Sequence, residues 1–353
     1  MSPKNKLLRV KNSGFSLVEI MVGLAIGLIT SLIIMQVITV FEGDKRTTSG
    51  NTDAQTSGSI ALYLIQRRVQ MAGYGLPIFS DSSPLNCSTA TFDHDGNAVT
   101  ANIGIAPVSI TDGGTAAGAS DTITVRYGTA QMGTTPLKIV SVDTLNKTLT
   151  LNNNLGCQVN DIALLVDGTT CNMSKVTAVT GTTFVSLGSS NGAVPTSGKL
   201  ACMGGWSENT YQVVNGNLVE NGIPVMSNIV NIQAQYGISN SASSPVTAWV
   251  DASGATWAAP SVANRNRIKA IRIAVVARNG LLEKDVVVNA PCNNKTAGEL
   301  SGLCTWAGND GSTSNASSSI DLTSDPNWQN YRYRVFETTI PLRNVIWSAG
   351  ALQ

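Results

Sequence analysis

The sequence predicts an α+β fold: a long N-terminal helix, apolar enough to cross a membrane, packed on a mainly antiparallel β-sheet domain with a β-rich elaboration. Three observations predict it. The run from Ile20 to Phe41 contains no charged residue, a helical pattern resumes at "SIALYLIQRRVQMAGYG", and beyond Pro77 the chain breaks into short β-rich runs punctuated by turn residues. With 353 residues, 42% of them hydrophobic, the chain can bury at least one sizeable core. Charged residues make up only 13% and the net charge is +1, so Gly, Ser, Thr and Asn fill the polar positions and no bulk electrostatic partner is implied. That composition suits an exported strand-and-loop protein.

At the N-terminus, residues 1–14 read as a leader in which Lys4, Lys6, Arg9 and Lys11 stand without an acidic neighbour. The apolar run that follows is about 33 Å long as a helix, enough to cross a hydrocarbon layer of about 30 Å. The excess of positive charge before it, against the balanced Glu42, Asp44, Lys45 and Arg46 after it, places the N-terminus in the cytoplasm and the rest outside. The run is too long for a secretory signal and no A-x-A-like site follows Phe41, so residues 15–41 should stay in the mature chain as the membrane part of the helix. Gly23, Gly27 and Ser31 continue from Glu19 at four-residue spacing, a seam of small residues along which another helix can approach.

Residues 42–76 should form the second half of the helix, with a soft or partly melted stretch at 43–58, where three glycines and many hydroxyl residues weaken helical structure. The pattern then firms up: Ile60 with Leu64 and Ala61 with Ile65 fall at i,i+4, Arg67 and Arg68 flank the apolar face, and Gly73 and Gly75 end it. This half should pack on a sheet.

Strands are expected at "DTITVRY", "LKIVSVD", "KTLTLN", "DIALLVD", "KVTAV", "TTFVSL", "TYQVV", "NLVEN", "NIVNIQAQYGI", "RIKAIRIAVVAR" and "YRVFETTIPL". "VVNGNLV" signals a hairpin turning at Asn215 and Gly216. The nearly continuous apolar "IKAIRIAVVA" reads as a central strand, and the stretch from Ser239 to Asn266 as a long excursion between two sheet strands. Residues 77–210 read as an elaborated or inserted β-rich region and 211–353 as the C-terminal sheet of the globular domain.

The junction "KNSGFSLVE" combines a basic leader, Gly14 followed by Phe15, Glu19 and the apolar run. In this combination it resembles the type IV pilin class. The resemblance implies cleavage after Gly14 by a prepilin peptidase, methylation of the new N-terminal Phe15, and Glu19 as the fifth mature residue and an assembly residue. A lone carboxylate in hydrocarbon costs about 2.5 kcal/mol or more, so it needs a reason. The freed amine of Phe15 lies one turn away and the positive end of the helix dipole lies there too. The sequence leaves open whether Glu19 pairs within the chain, with a neighbouring subunit's amine as the class implies, or only with lipid headgroups. Many major pilins carry a proline in this helix, whereas here Gln36 stands where the class often has it and no proline occurs between Pro3 and Pro77. That departure hints at a subunit other than the bulk filament protein.

"QRRVQMAGYG", "NIVNIQAQYGI", "NRIKAIRIAVVARNG" and "YRYRVFETTIPLRN" further resemble the PilW-like minor pilins, in patches over residues 12–76 and 228–347. That implies a non-catalytic subunit that joins or initiates a type IV pilus. Its partners would be other minor and major pilins, prepilin peptidase, the inner-membrane platform and a tip adhesin. It would reside as a single-pass inner-membrane protein and then in the pilus at the cell surface. Rival readings are a type II secretion pseudopilin, disfavoured by the length of the exported domain, and a tip-located surface or ligand-binding subunit for which the helix is only a mount.

Catalytic chemistry finds little support. His94 is the only histidine and no serine or cysteine is spaced for a triad around it. Asp93, Asp95 and Asn97 begin like a calcium loop, but Gly96 comes too early and no glutamate stands at the twelfth position, so a turn is expected and no metal or cofactor. Arg265, Arg267, Lys269, Arg272, Arg332, Arg334 and Arg343 are expected on solvated strand faces rather than on a nucleic-acid surface. The six cysteines are expected to form disulfides. Cys292 with Cys304 is the favoured pair, worth about 2–3 kcal/mol by chain entropy. Cys157 with Cys171 is a weaker local pair that leaves Cys87 with Cys202.

Overall fold

The computed structural model describes residues 14–76, 89–93, 100–101, 105–130, 135–167, 170–188, 198–241, 245–288, 303–306 and 320–346. The expectations placed on Cys87, His94, Asp95, Gly96, Asn97 and Cys292 lie outside them. Two compact units divide the chain, Met1–Thr52 and Asp53–Gln353.

Helix α1 runs unbroken over Leu17–Met71, 55 residues, so the expected soft stretch at 43–58 is helical. The hydroxyls that lowered the expectation turn back onto the helix: Thr52 Oγ1 donates to the Thr48 carbonyl and Ser59 Oγ to that of Thr56, both at 3.0 Å. In the first unit every residue from Gly14 to Gly43 is exposed. In the second unit Ala54, Ala61, Ile65 and Val69 are buried at helical spacing, with Gly58 between them. A Cβ at Gly58 would overlap the ring of Phe336 and lie 3.0 Å from the Ala277 Cβ. Glycine therefore lets the helix lie close on the sheet. The helix ends through Gly73, at φ 76°, whose amide donates to the Arg126 carbonyl at 2.9 Å.

Seventeen strands follow among the described residues. In chain order they are β1 (Thr89–Asp93), β2 (Thr100–Ala101), β3 (Val108–Thr111), β4 (Thr122–Gly128), β5 (Leu137–Asp143), β6 (Thr148–Leu151), β7 (Ile162–Asp167), β8 (Thr170–Thr180) and β9 (Phe184–Leu187). Then come β10 (Lys199–Cys202), β11 (Trp206–Val214), β12 (Asn217–Glu220), β13 (Ile223–Ser227), β14 (Ile229–Ser239) and β15 (Val246–Asp251). Short helices α2 (Gly254–Trp257) and α3 (Val262–Arg267) precede β16 (Ile268–Arg278), and after β17 (Tyr333–Pro341) the described chain ends in α4 (Arg343–Ile346).

Three sheets form. A four-stranded sheet has the order β15-β14-β16-β17 and a five-stranded one β13-β12-β11-β4-β3. Both supply residues to one core with the second half of α1, which includes Ile65, Val69, Ile123, Val125, Tyr211, Ile232, Ile271, Ile273 and Val275. Strand β16 is central, as its apolar run predicts, and all but its last residue is buried. The β11–β12 hairpin turns at Asn215 and Gly216, both at positive φ (51° and 73°), the pair a type I′ turn requires. The long excursion before β16 contains the edge strand β15 and two short helices. Strands β1, β2, β3, β10 and β13 were not among those expected: β2 has two residues, β3 and β10 have four each, and β13 carries Pro224.

The remaining sheet has eight strands, β2-β1-β8-β7-β10-β5-β6-β9, and β9 also pairs with β8. That extra pairing closes β8-β7-β10-β5-β6-β9 into a six-stranded ring in which every pairing is antiparallel, while β1 joins β8 in parallel. Strand β8 serves its two ring neighbours, β7 and β9, by bending at a register shift between Val176 and Ala178. The ring encloses its own core of Leu137, Ile139, Leu149, Leu151, Leu165, Val176, Val185, Leu187 and Leu200. Its chain leaves after β4 and returns at β11, which are adjacent antiparallel strands of the five-stranded sheet. The two ends are tied together where the amides of Thr129 and Ala130 donate to the Met203 carbonyl at 2.9 and 2.8 Å. Topologically the barrel is an elaborate substitute for a hairpin turn.

Candidate functional site

The first candidate site is the start of α1. Ser16 precedes the helix, and its Oγ accepts from the Glu19 amide at 3.2 Å while Glu19 Oε2 accepts from the Ser16 amide at 3.5 Å. This reciprocal pair is a capping box, S-x-x-E, which satisfies two of the donors a helix start leaves orphaned. Sequence reading singled out Glu19 and missed Ser16, although the spacing "SLVE" carries the signal. Gly14 and Phe15 lie exposed just before the cap, with Phe15 80% accessible.

Along the same helix no atom outside its own neighbourhood comes within 4 Å of a Cβ position at Gly23 or Gly27. Ser31 Oγ donates to the Gly27 carbonyl at 2.9 Å and Thr30 Oγ1 to that of Ile26 at 2.7 Å, so the hydroxyls in the apolar run are satisfied inside the helix. The seam is thus a bare face. An 18-residue window here has a mean hydropathy of 2.4 and none of it is buried in this chain, a surface that needs lipid or other helices to cover it.

The second half of the helix is fixed by a polar latch as well as by its apolar stripe. Arg68 donates through Nη1 to the Tyr127 hydroxyl at 2.9 Å and lies 3.5 Å through Nε from Glu220 Oε1, which also accepts from the Tyr211 hydroxyl at 2.8 Å. Burial, then the bond to Glu220, pushes the Tyr211 phenol well above its ordinary range, so it stays a neutral donor. Arg126, on β4, is nearly buried and pairs with Glu208 at 3.0 Å.

Two segments match known families. The prokaryotic N-terminal methylation motif matches residues 9–35 and the family described as Type IV Pilus-assembly protein W matches residues 206–344. The chain is thus similar to PilW-type pilus-assembly proteins over residues 206–344 and carries the N-terminal methylation motif over residues 9–35. The PilW match begins at Trp206, the first residue of β11 and the point where the barrel's chain rejoins the five-stranded sheet. Residues 36–205 match neither family. No curated protein matches the chain. Among solved structures a type IV-like pilin from Thermus thermophilus is similar at a TM-score of 0.30 and 9% identity, covering 82% of this chain and 97% of that chain.

The cysteine expectations divide. Cys157 is bonded to Cys202, which overturns both Cys157 with Cys171 and Cys87 with Cys202. The reason is the β7–β10 pairing, which sets Cys202 opposite Ala163 and brings it beside the loop that leads into β7. Cys171 and Cys304 are also disulfide-bonded, and Cys292, the partner favoured for Cys304, lies outside the described residues.

The basic residues differ in their surroundings. Lys269 and Arg272 are buried rather than solvated. The Arg272 guanidinium stacks between Trp249 and Trp306 at 5.0 and 4.5 Å and donates to Gln235 Oε1 at 2.7 Å. Arg332 pairs with Glu283, and Arg267 donates to the Ser239 carbonyl at 2.8 Å. Sequence patterning gave no sign that Arg272 would be enclosed by two tryptophans distant in the chain. Among the described residues no group of three or more His, Cys, Asp or Glu is placed to hold a metal.

Proposed function

We propose that the chain is a minor pilin, a non-catalytic subunit that joins or initiates a type IV pilus. The observation that carries this is the methylation motif over residues 9–35 running directly into a helix whose faces are exposed from Gly14 to Gly43. In this reading prepilin peptidase cuts after Gly14 and Phe15 becomes the methylated N-terminus. Glu19, held by Ser16, then presents its carboxylate to an amine, and the Gly23, Gly27 and Ser31 face lets a neighbouring subunit's helix approach. The precursor crosses the inner membrane once with its N-terminus in the cytoplasm, and the globular domain passes from the periplasm to the surface filament. Other minor and major pilins, the inner-membrane platform and a tip adhesin are its partners.

Intact mass and N-terminal sequencing of the protein from its native membrane and from sheared filaments test this. A mature chain beginning at methylated Phe15 in both fractions is expected. A chain that keeps residues 1–14, or one cut after Phe41, would defeat the proposal.

A second reading, a tip-located binding subunit, is favoured by the barrel, which has its own core and its own disulfide and lies outside both family matches. Loss of surface binding with normal piliation after replacement of the barrel, residues 135–202, by a short turn joining β4 to β11 would decide for it. Loss of piliation itself would decide for assembly.

A further inference from the structure

Among the described residues several sheet edges carry a blunting feature, whereas β17 is long and regular. Strand β13 carries Pro224, and its partner β12 shifts register between Leu218 and Val219. On β3 the Ile110 amide is taken by the Tyr236 hydroxyl at 2.7 Å. The free part of the β14 edge is taken by Ser120 and Asp121: Ser120 Oγ accepts from the Ile232 amide at 2.9 Å and Asp121 Oδ2 from that of Ala234 at 2.7 Å. Strand β15 is joined to β14 through a register shift between Ile238 and Ser239. Each is a familiar way of closing an edge to strangers.

Strand β17 runs nine residues beside β16 with no register shift, and its proline, Pro341, is its last residue. Among the described residues no backbone group on its outer edge is hydrogen-bonded. Both faces beside that edge carry half-buried apolar side chains, Phe336 toward α1 and Val335 with Tyr333 on the opposite side. Arg334, between them, is exposed and makes no ion pair among the described residues.

We infer that the outer edge of β17 is a docking site for an extended segment of another protein, which adds to the four-stranded sheet as a fifth strand. Backbone bonds supply the attachment and alternate side chains the specificity. The segment that fits has apolar residues facing both ways, to cover Phe336 on one side and Val335 on the other, and a carboxylate beside Arg334. That the segment belongs to another subunit of the pilus machinery rests on the assembly reading; the open edge does not.

Hydrogen exchange of the amides in residues 333–341 tests this, in the full-length chain purified in detergent and in the native cell envelope with its filaments. In the purified chain about half of these amides, those facing outward, should exchange fast, and in the envelope they should slow at least about ten-fold. Fast exchange in both settings would overturn the inference. Slow exchange in the purified chain would also overturn it, in favour of a second copy if the slowing depends on concentration and of an edge already closed within the chain if it does not. Arg334→Glu should abolish the slowing in the envelope while leaving the melting temperature of the purified chain unchanged. Slowing that survives the substitution would rule out the carboxylate partner. Mass analysis of the same envelope sample reports leader removal separately. An uncut chain with a protected edge refutes the assembly reading alone, and a processed chain with a fast edge refutes the docking site alone.

Discussion

Asp121 ties the two sheets that receive the helix. It sits directly before β4, its Oδ1 accepts from the Gly113 amide at 2.9 Å and its Oδ2 from the Ala234 amide on β14 at 2.7 Å. Burial raises its pKa to about 6, with those two amides opposing and Asp112 and Asp251 assisting. A carboxyl whose folded pKa exceeds its unfolded value contributes stability that is fully present below the unfolded pKa, 3.8, and is lost as pH rises through about 6. Asp121→Asn removes the titration while keeping the shape. The stability of the unsubstituted chain relative to this variant should therefore fall by about 1–3 kcal/mol between pH 4 and pH 7. Urea unfolding across that range checks it, and a constant difference would remove Asp121 as the cause. Asp121→Ala should cost about 1–3 kcal/mol at any pH in the range, since it orphans the buried Ala234 amide and releases that of Gly113. None of this was legible in the sequence, where Asp121 is one polar residue before a strand. Ser16 was legible and overlooked: it stands three residues before Glu19 at the head of an apolar run, the form a capping box takes.

Single elements were predicted best where one force dominates. Strand β16 is apolar enough to name its own place at the sheet centre, and Asn215-Gly216 names its turn because few other residues take positive φ twice in succession. Helix α1 was underestimated at 43–58 because intrinsic propensity was weighed without packing, and packing is where glycine helps. At Gly58 the missing side chain admits the Phe336 ring, so a residue that weakens an isolated helix strengthens this one's seat. Gly58→Val should cost about 1–3 kcal/mol through overpacking, despite the greater flexibility of glycine in the unfolded chain. Thermal unfolding of the second unit reads this, and an unchanged or raised melting temperature would mean that Phe336 swings aside freely. At the helix end Arg68→Ala should cost about 1–2 kcal/mol by stripping the latch of its only cation. The same measurement, paired with Glu220→Ala in a double-mutant cycle, separates the ion pair from the bond to Tyr127.

For the whole molecule, the helix and C-terminal sheet follow patterns written locally, whereas the barrel depends on pairings between strands far apart in sequence. Most of its strands were expected one by one from alternation, but nothing in "KVTAVT" says that β8 will bend to serve both β7 and β9, and closure depends on that bend. The Cys157–Cys202 bridge was missed for the same reason, since nearness along the chain favoured Cys171 while the β7–β10 register favoured Cys202. The bridge closes a span of 45 residues and lies in the barrel core, apart from the core shared by α1 and the other two sheets. Chain entropy assigns it about 4 kcal/mol. Because the barrel enters and leaves through adjacent strands, that loss should stay local: Cys157→Ser with Cys202→Ser should let the barrel open below the unfolding temperature of the rest. Amides of β5, β6 and β9 should then lose exchange protection by about a hundred-fold or more, while those of β14 and β16 keep theirs. Equal loss in both sets would mean that the barrel and the helix-bearing sheets unfold as one cooperative body, and that the insertion is a structural part of that body rather than a module carried on it.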